Sequence, residues 1–158
     1  MVAALYALLA YGSYVTLPSH AGGMQGFDMR PLGMSGADGM AYMAAMTEAG
    51  RDYYLNWLEP LDFAFIVALT GLILTLCWCF RGLSGGLAAV GVVSYALCDL
   101  VENTLVSSLM AFGSTSGAGE TIAAIATVTT GKFASLVVAA IALAVAWRQS
   151  AGRTWEGS

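Results

Sequence analysis

The stretch Ser94 to Val106, SYALCDLVENTLV, places Asp99, Glu102 and Asn103 within one helical turn inside a long apolar run. No basic residue stands near them in sequence. Ionisable side chains inside a membrane helix are costly and mark pairing or function. Tyr95, one turn earlier, joins the same side of that helix. The matching residue is Lys132, in the next apolar run. Counted from the turn between the two runs, Glu102 is eleven residues before Gly113 and Lys132 is twelve residues after Glu120. In an antiparallel hairpin these positions lie at nearly the same depth, so Lys132 is the expected counter-ion of Glu102 or Asp99.

Three chemistries fit such a cluster. A buried ion pair can fix helix register and partner geometry. A surplus acid over a single lysine can hold a proton or a polar substrate. A pigment or metal ligand is the third. A second group, Arg51, Tyr54 and Asp62, is expected near the membrane interface, with Asp62 opening an apolar run and able to pair with Arg51 or approach the cluster from above.

Other reactive residue types carry less. Cys77, Cys79 and Cys98 all sit in apolar runs, and Cys-Trp-Cys has the spacing of neither a redox motif nor a metal half-site. They read as small apolar filler. His20 is the single histidine, which excludes a bis-histidine haem within one chain. Met24, Met29, Met34, Met40, Met43 and Met46 read as packing groups in aliphatic surroundings, not as copper ligands. No cofactor is expected, and a bound lipid or pigment stays an open alternative.

The elements that must position these groups follow from composition. Of 158 residues, 58% are hydrophobic and 10% charged, against about 25% charged in a soluble domain. The reading is a single all-α membrane domain. Spans are expected over 1–17, 61–80, 86–112 and 121–147, with an extramembrane loop over 18–60. The first run lacks the basic start of a signal peptide and reads as a retained, thin span, with an interfacial helix as the alternative. Within the loop, Ser35 with Asp38 predicts a helix start. Met40, Met43, Ala44 and Thr47 then define an apolar face on the membrane surface, and Gly50 ends the helix. Tyr53, Tyr54 and Trp57 suit the bilayer boundary, and Pro60 the first turn of the second span. The whole is a four-helix bundle with an interfacial amphipathic helix between spans one and two. Gly131, Ser135 and Ala139 form a small-residue stripe for close helix packing. Arg81, Arg148 and Arg153 place the termini on the inner side by a margin of one residue.

These motifs resemble those of a widespread, uncharacterised group of small four-span membrane proteins. The resemblance rests on a loop aspartate, Asp28; on Gly50 and Arg51 with Tyr54, a Gly-Arg-x-x-Tyr; on Asp62; on Asp99, Leu100, Glu102 and Asn103, an Asp-Leu-x-Glu-Asn; and on Lys132 in the last span. It covers nearly the whole chain. It implies a four-span topology with this polar cluster, and no activity.

A net charge of −4 with six basic residues gives no basic patch for nucleic acid. The chain shows no nucleophile triad, metal set or phosphate loop. The first expectation is therefore a non-catalytic accessory subunit of a larger complex in an energy-transducing membrane, mitochondrial inner or thylakoid, with lipids and other membrane subunits as partners. The alternative is a small proton-coupled transporter or lipid-modifying enzyme using Asp99, Glu102 and Lys132. A cavity open to one side favours the second, and a dry, fully packed cluster the first.

Overall fold

The structure is a computed structural model that describes residues 1–80, 82–113 and 117–155. Arg81, part of the orientation argument, lies outside them. Among the described residues every regular element is helical. Four helices are long and apolar enough to cross a membrane: α1 (Val2–Ser19), α3 (Glu48–Cys79), α4 (Leu83–Phe112) and α5 (Ala118–Trp155). Between α1 and α3 come a single 3₁₀ turn, Phe27–Met29, and a short helix, α2 (Gly36–Ala45).

Packing follows chain order, with α1 against α3, α3 against α4, and α4 against α5. The short turn after α4 makes α4 and α5 antiparallel neighbours. They approach closely at Gly91, where a Cβ would sit 3.0 Å from the Ala139 backbone nitrogen. The stripe through Gly131 and Ala139 faces α4, with Gly131 against Cys98 and Ala139 against Gly91.

The segment between α1 and α3 folds back as a cap. Ser35 starts α2 by accepting a hydrogen bond from the Asp38 amide at 3.1 Å. The helix buries Gly39, Tyr42 and Met43, with Gly39 against Ile122 of α5. Met43 of the expected apolar face is buried, while Met40 and Ala44 are exposed. The Tyr42 ring packs edge-on against Phe27 at 5.3 Å. Gly50 does not end this helix. Met46 turns extended, Thr47 starts α3 by accepting from the Gly50 amide at 3.1 Å, and Gly50 is buried against His20. The second long helix thus begins at Glu48, thirteen residues before Leu61. Its opening turns are polar, and their ends are satisfied: Arg51 donates to the carbonyls of Met43 at 3.1 Å and Met110 at 3.4 Å. The latter is one of the free carbonyls ending α4.

Both α1 and α3 contain a wide π-helical stretch, Gly12–Thr16 and Tyr54–Leu58, two residues before Pro18 and Pro60. Proline lacks an N–H and crowds the carbonyl four residues back. A widened turn relieves that crowding and lets the helix continue through the proline. The two wide turns meet, with Gly12 lying against Leu58 and the Tyr53 hydroxyl.

The buried apolar residues form two groups. One joins the cap to the near ends of α4 and α5, through Phe27, Tyr42, Met43, Leu109, Ile122 and Ile125. The other lies lower, around Val92, Tyr95 and Ala139. The polar cluster lies between them.

Candidate functional site

Every helix-borne acid of the site is carried by a long helix, and the fourth comes from the cap. On α4, Asp99 and Glu102 are 2% and 1% exposed, and on α5 Lys132 is 6% exposed. Lys132 Nζ donates to Asp99 Oδ1 at 2.9 Å and also pairs with Glu102 Oε2. Burial of these groups in contact is tolerable only because the ammonium offsets one carboxylate and further hydrogen bonds are found. Glu102 Oε1 has one in the Thr129 hydroxyl at 2.5 Å. That hydroxyl is also 2.8 Å from the carbonyl oxygen of Ile125.

Asn103, one residue on and so about 100° around the helix, turns the other way. Its amide donates to Asp62 Oδ2 at 2.6 Å. Asp62 is far from the start of its helix, because α3 begins at Glu48. The expected grouping of Arg51, Tyr54 and Asp62 therefore divides. Arg51 binds one carbonyl of the cap, that of Met43, and one at the end of α4, that of Met110. Tyr54 is buried beside a small void that it shares with Asp62, Asn103 and Asp28. Asp62 belongs with the deep acids.

A cavity of about 300 Å³ opens next to this network. Asp28, Asp62, Asp99 and Lys132 line its upper part, and Ser13 of α1 joins them. Phe65, Leu69, Tyr95 and Leu136 line it below, with Tyr6, Leu9 and Ala10 from α1. It separates α1 from α5, the two ends of the packing series. Tyr6, Tyr14 and Pro31 are exposed on its rim, so the cavity reaches the outer surface beside α1.

Asp28 enters from the cap's 3₁₀ turn. The surface it keeps faces the cavity. Burial raises its carboxyl above the ordinary range. The nearby Lys132 ammonium and its own backbone amide oppose that rise, Asp99 adds to it, and the adjacent Ser13 hydroxyl slightly opposes it. Burial likewise raises Tyr42, and the Asp28 charge raises it further. The hydroxyls of Tyr42 and Ser13 are both buried without a hydrogen bond of normal geometry.

Sequence reasoning missed Ser13, and it treated Asp28 as a loop acid. A weak signal existed for each. Ser13 is a polar residue in an apolar run just ahead of a proline, and Asp28 follows Gly-Phe in a segment whose glycines permit tight folding back. His20 sits in the cap, its Nδ1 3.2 Å from the Thr47 hydroxyl. Among the described residues no group of three histidine, cysteine or acidic side chains converges closely enough to hold a metal ion. Comparison with protein-family models, with curated proteins and with solved structures found no match.

Proposed function

We propose that this chain is a small multi-pass membrane transporter that exchanges protons at the carboxyl-lined cavity while moving a small solute. The observation that carries the reading is the cavity itself: four carboxyls, Asp28, Asp62, Asp99 and Glu102, gather around one ammonium, Lys132, beside open space. Unpaired ionised carboxylates in such a setting are expensive. Neutrality needs protons or a positively charged ligand.

The four long helices form a bundle placed in the bilayer by their exposed side chains. On α3, Trp57 and Trp78 are exposed and 21 residues apart, about 32 Å along the axis. That matches a hydrocarbon core of about 30 Å with tryptophan at both boundaries. Exposed apolar residues run from Val101 to Leu83 on α4, about 27 Å, and over the half of α5 from Val137 to Trp147, about 15 Å. Asp62, five residues inside Trp57, then lies about 8 Å below the cap-side boundary. The site lies about halfway between that boundary and mid-bilayer, and the cap, with α2 against α5, roofs it.

The reading as a non-catalytic subunit of a respiratory or photosynthetic complex has its own mark, co-purification with that complex. The open cavity favours transport. The test uses purified protein in vesicles loaded with a pH-sensitive dye, challenged with amines, carboxylates and amino acids. Solute-driven proton movement is expected above protein-free vesicles and lost in Asp62→Asn. Equal movement in wild type, Asp62→Asn and empty vesicles for every solute contradicts the reading.

A further inference from the structure

The cavity is graded along the helix axes. On α3 the lining steps from Asp62 to Phe65 to Leu69, on α4 from Asp99 back to Tyr95, and on α5 from Lys132 to Leu136. On α1 it steps from Ser13 to Leu9 to Tyr6. Along each helix the lining passes from a polar residue near the cap to apolar or aromatic ones below, while Tyr14, Met29 and Pro31 add apolar surface at the cap end. The polar end is negative. Lys132 is already engaged by Asp99 and Glu102, which leaves Asp28 and Asp62 facing the space with only neutral hydrogen-bond partners among the described residues. Ser13 is 1% exposed, lines this end beside Asp28, and its hydroxyl makes no hydrogen bond of normal geometry. The acids surround a volume and do not meet at a point, since no three acidic, histidine or cysteine side chains among the described residues could hold a metal ion.

We infer that the ligand of this cavity is an amphiphilic cation, a primary ammonium on an apolar body, its head between Asp28, Asp62 and Ser13 and its body against Tyr6, Phe65 and Leu136. This rests on the transport reading and names its substrate class. Two carboxyls and a hydroxyl match the three donors of an ammonium. Aromatic walls tolerate a cation and cover an apolar chain. An anion would meet Asp28, Asp62 and Asp99, with the one nearby ammonium, Lys132, already paired. Arrival of the cation displaces a proton from Asp28 or Asp62, so binding and deprotonation are linked. The rim at Tyr6 and Tyr14 lies on the lipid-facing side of α1, which suits entry from the bilayer.

The test is calorimetric titration of the full-length protein in detergent with 2-phenylethylamine, dodecylamine, 2-phenylethanol and phenylacetate. Runs in two buffers of different ionisation enthalpy count the protons released. An amine is expected to bind with release of about one proton, at least tenfold more tightly than the alcohol of the same shape, and phenylacetate not to bind. Asp28→Asn and Asp62→Asn are each expected to weaken amine binding tenfold or more. The short and the long amine separate a soluble source from a membrane-resident one. Equal binding of amine and alcohol, or tighter binding of phenylacetate, overturns the inference without need of any variant, as does amine affinity unchanged in both variants. If carboxylates drive proton movement in vesicles while amines fail to bind, the substrate class falls and transport stands. If amines bind and release protons but no solute drives flux, transport falls.

Discussion

Lys132 is the ammonium on which the described part of the site depends, and its removal strands two carboxyls that are almost fully buried. Lys132→Met is therefore expected to destabilise the protein by about 3–5 kcal/mol, the usual cost of breaking a buried pair from one side. Denaturant unfolding in micelles measures it, and a loss below about 1 kcal/mol would show that the pair is solvated or unformed. Asp28 gives a different readout. Because burial raises its carboxyl, the folded protein holds that proton more tightly than the unfolded chain. Its stabilising effect is complete below the ordinary carboxylate range, near 4, and is lost as pH rises through the raised value. Melting temperature should fall across that window in the wild type and fall less in Asp28→Asn. Identical pH profiles would remove Asp28 from the buried site. The lysine and its two acids were legible in sequence because charges stand out against an apolar background. Asp28 and Ser13 left only weak signals, and their meeting was not legible because only the folded cap brings them together.

Among the elements, the segment leading from α1 to α2 is the one the sequence described least well. It reads as irregular chain, yet it is pinned against α5. Gly33 adopts φ +80°, and a Cβ there would come within 2.9 Å of the Ala126 Cα. Gly33→Ala therefore faces an unfavourable backbone conformation and a backbone clash together. It is expected to lift the cap locally, so that amide hydrogen exchange over residues 20–34 accelerates tenfold or more while the middle of α4 is unchanged. Unaltered exchange in that segment would mean that the cap is not seated through this contact. The π turns before Pro18 and Pro60 had a visible cause, the prolines, but not a visible outcome. Proline in sequence signals a boundary, and here packing of the two wide turns against each other carries both helices onward. That continuation is why the second long helix starts at Glu48, and why Asp62 sits deep within it.

Taken together, four apolar runs foretold four helices able to cross a membrane, and two short connections foretold that the second lies against the third and the third against the fourth. What the sequence could not convey is the space left between the first and last helices. A cavity is a property of how surfaces fail to meet, and no periodicity records it. The cavity turns an ion pair into a site, because it gives the surplus carboxyls something to face. On the proposed function these carboxyls reach neutrality by holding exchangeable protons when no cation is bound. Infrared spectroscopy of the purified protein in amine-free, neutral buffer tests this most directly, through the carbonyl stretch that a protonated carboxyl shows and a carboxylate lacks. The account predicts such a band, sensitive to deuterium exchange, weakened in Asp28→Asn and in Asp62→Asn, and reduced when an amine is added. A protein that is folded at neutral pH and shows no protonated carboxyl would contradict it.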